Sequence, residues 1–138
     1  MISSFVVDVS VGIAWVHPSQ ASPDTDRLLE AVALNVMVVV PALWFLEVSN
    51  VLLVAQRRNR LTATQRQIAM GVLSRLELTV DEEGSRYAFG RTSELAENHG
   101  LSIYDAVYLE LAVRHALPIA SRNEGLNQAA KKCGLTVL

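Results

Sequence analysis

Two short runs constrain this chain more than anything else in it: Phe5-Val6-Val7, and the stretch from Val36 to Val40, neither interrupted by a polar residue. A strand with one wet face alternates apolar and polar side chains, so an unbroken apolar strand must be covered on both faces. That is the condition of a parallel sheet between helical layers. Between the two runs, Ser22-Pro23-Asp24 places a capping serine and an N1 proline ahead of Leu28, Leu29, Val32 and Ala33, which recur at helical spacing. Strand, helix and strand in that order predict a βαβ opening.

The same punctuation continues downstream. Pro41 reads as the first residue of a second helix running through Glu47, Val51 and Ala55 to the Arg57-Arg58-Asn59-Arg60 cluster, whose charge suits a helix C-terminus. Thr62-Ala63-Thr64-Gln65 is a capping box, and Ile68, Val72 and Leu76 carry its helix toward a strand over 78–80. A helix over 85–98 is expected to close at Gly100 in the left-handed conformation, and Ser102 to cap the next, over 103–115. A strand over 117–120, a helix over 125–133 capped by Gly134 and a last strand over 136–138 complete the order. Strands alternating with helices predict a three-layer α/β/α fold around a central parallel sheet. At 138 residues one domain spanning 1–138 is the expectation, large enough to bury a core without covalent staples.

Composition narrows the setting. The single cysteine, Cys133, excludes an internal disulfide and a multi-cysteine metal site, and fits a reducing cytoplasm. No basic residue precedes the first apolar run, which therefore reads as a strand and not as a secretory signal. The longest apolar tract, 31–46, is broken by Asn35 and Pro41 and is shorter than the roughly 20 residues that span a bilayer, so no membrane segment is expected. With 51% hydrophobic residues, apolar surface should remain for a partner. The net charge of −2 offers a polyanion nothing overall, so local arginines or a bound metal would have to attract one.

Ligands of parallel α/β sheets bind beyond the carboxyl ends of the strands, which directs attention to polar residues that close apolar runs. Asp8 is one; it can equally cap the turn that follows. Glu47 lies within Leu43-Trp44-Phe45-Leu46-Glu47-Val48, where a buried carboxylate needs a counter-charge or metal unless it reaches a solvated edge. Asn50, three residues on, shares its helical face and could hold it in place. Asp105 falls at N3 behind Ser102, where it can complete a cap or point toward the strand ends. Ser121-Arg122-Asn123-Glu124 closes the strand over 117–120, with Asn123 open to capping the last helix, ligating weakly or bonding a ligand water.

Four stretches join these positions into one pattern: 6–10, 40–50, the segment His99-Gly100-Leu101-Ser102-Ile103-Tyr104-Asp105-Ala106-Val107-Tyr108 continuing to Ala112, and 117–121. In order and spacing they resemble the PIN-domain ribonucleases, specifically the VapC toxins of type II toxin-antitoxin (VapBC) pairs. The resemblance implies a metal-dependent endoribonuclease in which Asp8, Glu47 and Asp105 hold Mg²⁺ or Mn²⁺ and Ser10 and Ser121 support the site by hydrogen bonds. It implies RNA as substrate, a homodimer, and a small VapB-type antitoxin that covers the pocket. The chain departs from the family pattern at Asn123, where an aspartate is usual; Glu124 is adjacent but one residue out of register.

Clustered carboxylates suit this chemistry because divalent cations make water nucleophilic and stabilise the charge that develops as a phosphodiester is cut. Oxygen ligands without usable Cys or His favour Mg²⁺ or Mn²⁺ over zinc. His17, His99 and His115 are read as lying away from the acidic positions, with His99 ending a helix. Trp15, Trp44, Tyr104 and Tyr108 are read as core or interface, and Arg57, Arg58, Arg60 and Arg66 as solubilising charges or guides for RNA phosphates. A haloacid-dehalogenase-type phosphotransferase would carry a second Asp where Ser10 stands. A response-regulator receiver needs early paired acids and a lysine after a late strand, and the only lysines are Lys131 and Lys132. The surviving rival is a PIN-like module that has lost a ligand at Asn123 and now binds RNA or protein without cutting.

Overall fold

The computed structural model describes residues 2–138. Four parallel strands form one sheet in the order β3-β2-β1-β4: β1 (Ser4–Val7), β2 (Met37–Pro41), β3 (Leu78–Asp81) and β4 (Ile119–Ala120). Phe5, Val6, Val7, Val38 and Val40 are completely buried, as unbroken apolar runs require. The strand expected over 136–138 is reduced to a single parallel bridge between Val137 and Ile119, with the Ile119 amide donating to the Thr136 carbonyl at 3.0 Å and the Ile119 carbonyl accepting from the Leu138 amide at 2.9 Å.

Crossovers between parallel strands are right-handed, and this sets the layers. The chain steps from β1 to β2 to β3 in one direction, through α1 (Val9–Ala14), α2 (Pro23–Ala33), α3 (Leu43–Arg57) and α4 (Ala63–Ser74). It then returns across the sheet to β4 through α5 (Arg91–His99) and α6 (Ile103–His115), followed by α7 (Glu124–Lys132). Reversing the direction puts the second set on the opposite face. The packing agrees: α3 touches α1 and α4, whereas α6 touches α5 and α7 and lies across β1 and β2. The result is a three-layer α/β/α fold, and among the described residues no helix is long and apolar enough to cross a membrane.

Local capping chemistry reads through well. Ser22 and Thr62 each close a full capping box, Ser102 accepts the Asp105 amide, and Gly100 and Gly134 adopt positive φ of 64° and 80°. Two expectations need correction. Pro41 ends β2, opposite Asp81 and beyond the last register pair with β1, where a missing N–H breaks no ladder bond; α3 starts at Leu43. The helix over 85–98 is two pieces, a 3-10 turn at Gly84–Tyr87 and then α5, because Gly90 breaks the helical path at φ −114°, ψ −104° and leaves Phe89 fully exposed. One element lies outside those expectations: α1, six residues rich in β-branched side chains, has no local helix signal and forms on a cap and on burial of Val11, Gly12, Ile13 and Ala14.

Helix α1 is seated by one close approach. A Cβ built at Gly12 would lie 2.6 Å from Cζ2 of Trp44, whose ring is buried between α1 and α3 and donates its Nε1–H to the Asp8 carbonyl at 3.2 Å. An alanine would gain about 1 kcal/mol in helix propensity, but forcing a methyl into a filled core costs about 1–3 kcal/mol. Gly12→Ala is therefore expected to lower unfolding free energy by up to about 2 kcal/mol net, as measured by urea denaturation; a stabilised variant would show that the contact between α1 and α3 is loose.

Candidate active site

Asp8 follows β1 directly and is the N-cap of α1, so the capping and site readings of this residue are both realised in one side chain. Its Oδ1 accepts the Val11 amide at 3.3 Å and the Ser10 hydroxyl at 2.6 Å, while Oδ2 accepts the Ser121 hydroxyl from the end of β4. Both serines are themselves fixed: Ser10 Oγ accepts the Arg122 amide at 2.8 Å, and Ser121 Oγ accepts the Asn123 amide at 2.9 Å. The carboxylate is only 7% exposed, and burial pushes its pKa above the usual aspartate range, with the hydroxyls pulling back less than burial pushes. Strands β1 and β4 are neighbours from which the chain departs in opposite directions. Asp8 and Ser121 therefore sit at the topological switch point where open α/β sheets bind ligands.

Glu47 reaches the same region from the second turn of α3. It is half-buried, and its Oε1 accepts the Tyr108 hydroxyl at 2.6 Å from α6. Burial raises its pKa, the Tyr108 bond opposes this, and the charges of Asp105 and Asp8 raise it further. Tyr108 in turn is pushed far above the normal phenol range, chiefly by burial and then by Glu47, so its hydroxyl is a permanent donor. Asn50 borders the cleft but makes no hydrogen bond to Glu47; the partner comes from a different helix. The one clue in the sequence is that Tyr108 stands three residues after Asp105, on the same face of α6.

Asp105 lies at N3 of α6 behind the Ser102 cap, yet its side chain does not close a capping box. It faces Asn123 instead, whose Nδ2 stands 3.4 Å from Asp105 Oδ2. The Asn123 amide oxygen is used elsewhere, accepting the Leu126 amide at 3.0 Å as the N-cap of α7. Of the roles open to Asn123, the structure shows the cap and adds a tether on Asp105. Glu124 is exposed and borders no part of the cleft; its nearest polar partner is Gln128 along α7.

Asp8, Ser10, Asp105 and Asn123 open onto a cleft of about 670 Å³, within the roughly 300–1,000 Å³ of ordinary ligand sites. Ile13, Val51 and Val54 give it an apolar wall, and Arg58, Arg60 and Arg122 border it. So does His17, which corrects the reading of all three histidines as remote; it arrives with Gln20 from the turn after α1, an element with no sequence signal. Trp15, Trp44 and Tyr108 are core residues, but Tyr104 is 62% exposed.

Apart from the His17 imidazole, the potential ligands around this cleft are carboxylate, hydroxyl and amide oxygens, the set preferred by hard divalent cations. Asp105 and Asp8 lie near enough to Glu47 for their charges to oppose its ionisation, a strain that a cation relieves. Among the described residues, however, no three acidic, His or Cys side chains are gathered into one ion's coordination shell. Glu47 is held toward Tyr108 and Asp8 toward its serines.

Residues 5–132 match the PIN domain family. The chain belongs to that family. Solved structures share the fold of this PIN domain at low identity. VapBC2 from Rickettsia felis, bound to a DNA fragment from its promoter, superposes with a TM-score of 0.67 at 16% identity, covering 98% of this chain and 97% of that one. FitAcB from Neisseria gonorrhoeae gives 0.67 at 17% over 97% and 96%. VapBC-5 from Mycobacterium tuberculosis, a member of the VapBC toxin-antitoxin family, gives 0.56 at 19% over 99% and 98%. No curated protein matches the sequence.

The raised pKa of Asp8 has a consequence for stability. Between the ordinary carboxylate range near about pH 4 and the higher native value, the folded state holds more protons than the unfolded one. Stability contributed by this group therefore falls as pH rises through that window and stays lower above it. Asp8→Asn keeps an amide oxygen for Val11 and Ser10 but carries no charge. In thermal melts with EDTA the variant is expected to be the more stable protein near neutral pH, its advantage shrinking as the pH is lowered toward 4; an advantage independent of pH, or none, would contradict the assignment.

Proposed function

We propose that this PIN domain, read as one unit over 1–138, is a metal-dependent endoribonuclease, the VapC-type toxin of a toxin-antitoxin pair. The observation that carries this reading is that Asp8, from the end of β1, and Asp105, from α6, open onto one cleft at the sheet's switch point, with Glu47 of α3 near enough to feel both charges. The fold likeness to solved toxin-antitoxin proteins supports it.

In this reading Asp8, Asp105 and Glu47 are the catalytic carboxylates and would hold Mg²⁺ or Mn²⁺. When bound, such an ion makes water nucleophilic near neutral pH and offsets charge on the phosphoryl oxygens. The chain's own side chains do the positioning. Ser10 and Ser121 aim the Asp8 carboxylate, Tyr108 aims Glu47, and Asn123 restrains Asp105. Asn50 stands at the mouth of the cleft, where it can meet substrate or a ligated water. Three mutually repelling carboxylates would repel a phosphodiester too, so activity should depend entirely on the divalent ion.

The expected partners are RNA, a second copy of the chain and a VapB-type antitoxin, in the cytoplasm. Exposed Phe45, Leu46 and Ile68 on α3 and α4, and Phe89 before α5, leave apolar surface for protein contacts. The second reading, a PIN-fold binding module without cleavage, is favoured by Asn123, which contributes a hydrogen-bond donor where a fourth carboxylate would add charge.

The discriminating experiment incubates purified, partner-free protein with end-labelled structured RNAs and Mg²⁺ or Mn²⁺. Cleavage is expected, abolished by EDTA and reduced at least about a hundredfold in Asp105→Asn, the loss typical of removing a group that acts on the reacting centre. Folded protein that cuts none of several RNAs, yet binds them, would favour the module.

A further inference from the structure

The chain carries fourteen acidic and twelve basic residues, so whatever draws a polyanion to an acidic site must be local. Of the arginines clustered after α3, Arg58 and Arg60 border the cleft and Arg57 and Arg66 do not; Arg66 is instead bonded to Gln56 at 3.2 Å. Arg58 and Arg60 flank Asn59, which takes φ 58° in a helix-ending turn. The Asn59 amide bonds to the Gln56 carbonyl at 3.0 Å and the Arg60 amide to the Ala55 carbonyl at 2.8 Å. These paired bonds fix the backbone that presents the two side chains. Neither has an acidic partner among the described residues.

Arg122 borders the same cleft. Its amide is held by Ser10 and its guanidinium donates to the Gln20 carbonyl, so it is braced between the end of β4 and the turn after α1 without any carboxylate neutralising it. The cleft is thus lined by two carboxylates, Asp8 and Asp105, and by three arginines. Among the described residues no Phe, Tyr or Trp borders it, and the single imidazole of His17 is no platform for successive bases of the kind single-stranded nucleic-acid binders use.

We propose that Arg58, Arg60 and Arg122 form a phosphate-holding rim that grips the RNA backbone on either side of the bond over the carboxylates, so that this cleft reads charge and not base identity. The proposal rests on the ribonuclease reading above. Each arginine that meets a phosphate releases a counterion, which steepens the fall of log affinity with log salt by about 0.7 per contact on a single strand, equivalent to about fivefold in affinity at 0.1 M salt.

The test measures binding of fluorescent single-stranded RNA of mixed sequence, and of homopolymers, by anisotropy across a salt series. The Asp105→Asn protein with Mg²⁺ serves as the non-cleaving background, and cleavage by the parent protein is assayed in parallel. Arg58→Ala, Arg60→Ala and Arg122→Ala should each weaken binding about fivefold at 0.1 M salt and flatten the slope by about 0.7. Arg57→Ala, off the cleft, should do neither, and Arg122→Lys, which keeps the charge while melting points confirm folding, should retain most of the slope. Homopolymers should bind alike to within about threefold, as expected when contacts go to phosphate. Rim variants no weaker than Arg57→Ala, or a base preference that survives their removal, overturn the rim; if the parent protein still cleaves RNA, the nuclease reading stands without it. A parent protein that neither binds nor cleaves RNA overturns both.

Discussion

The hydrogen-bonded carboxylate of Asp8 is the interaction on which the rest of the site depends. It ends β1, starts α1 and accepts from Ser121 at the end of β4, so one side chain sets the relation among three elements. Its backbone takes part as well: its amide bonds to the Ala120 carbonyl at 3.1 Å, and its carbonyl receives the Trp44 indole that seats α3. Ser121 passes the constraint on through Asn127, which donates to its carbonyl at 2.8 Å from α7. A carboxylate this buried is unfavourable unless oriented donors compensate it. Here two hydroxyls and an amide do so only in part, which leaves it disposed to take a cation or a proton.

Charge is handled differently elsewhere in the molecule. Glu110, 1% exposed on α6, and Asp81 at the end of β3 both receive bidentate hydrogen bonds from Arg114, at 2.7–3.0 Å, and that guanidinium lies 4.8 Å over the Tyr87 ring. The Arg114 bonds hold Asp81 below the usual carboxylate range. Its stabilisation is therefore full above that range and lost as pH falls through the lowered value, the reverse of Asp8. The Arg114 group is complete within the chain and clamps α6 to β3. Among the described residues Asp8, Glu47 and Asp105 have no cationic partner, and that contrast separates a structural ion cluster from a candidate binding site.

What could be read in advance was local. Unbroken apolar runs gave the buried parallel sheet, and Ser22, Thr62, Ser102, Gly100 and Gly134 marked helix ends, because a cap depends on residues within one turn. The acidic positions were visible as breaks in apolar patterns. Features decided by tertiary contact were hidden. Tyr108 meets Glu47 across 61 positions of sequence. His17, Gln20 and Arg122 join the cleft through a turn and a strand end whose placement no spacing encodes. Pro41 looked like a helix start because proline suits both N1 and a strand end, and α1 was invisible because its helix is held by Asp8 and Trp44 and not by propensity. Asn123 drew attention by its type, but the division of its amide between the α7 cap and Asp105 is a matter of geometry.

The central claim is that Asp8 and Asp105, with Glu47, act together as one divalent-cation site. Titration of Mn²⁺ into partner-free protein, followed by calorimetry or by the electron paramagnetic resonance signal of free Mn²⁺, tests it without reference to any RNA. The account predicts saturable binding that is lost in Asp8→Asn and in Asp105→Asn while both variants remain folded. Binding of equal affinity in those variants, or none in the parent protein, would contradict it.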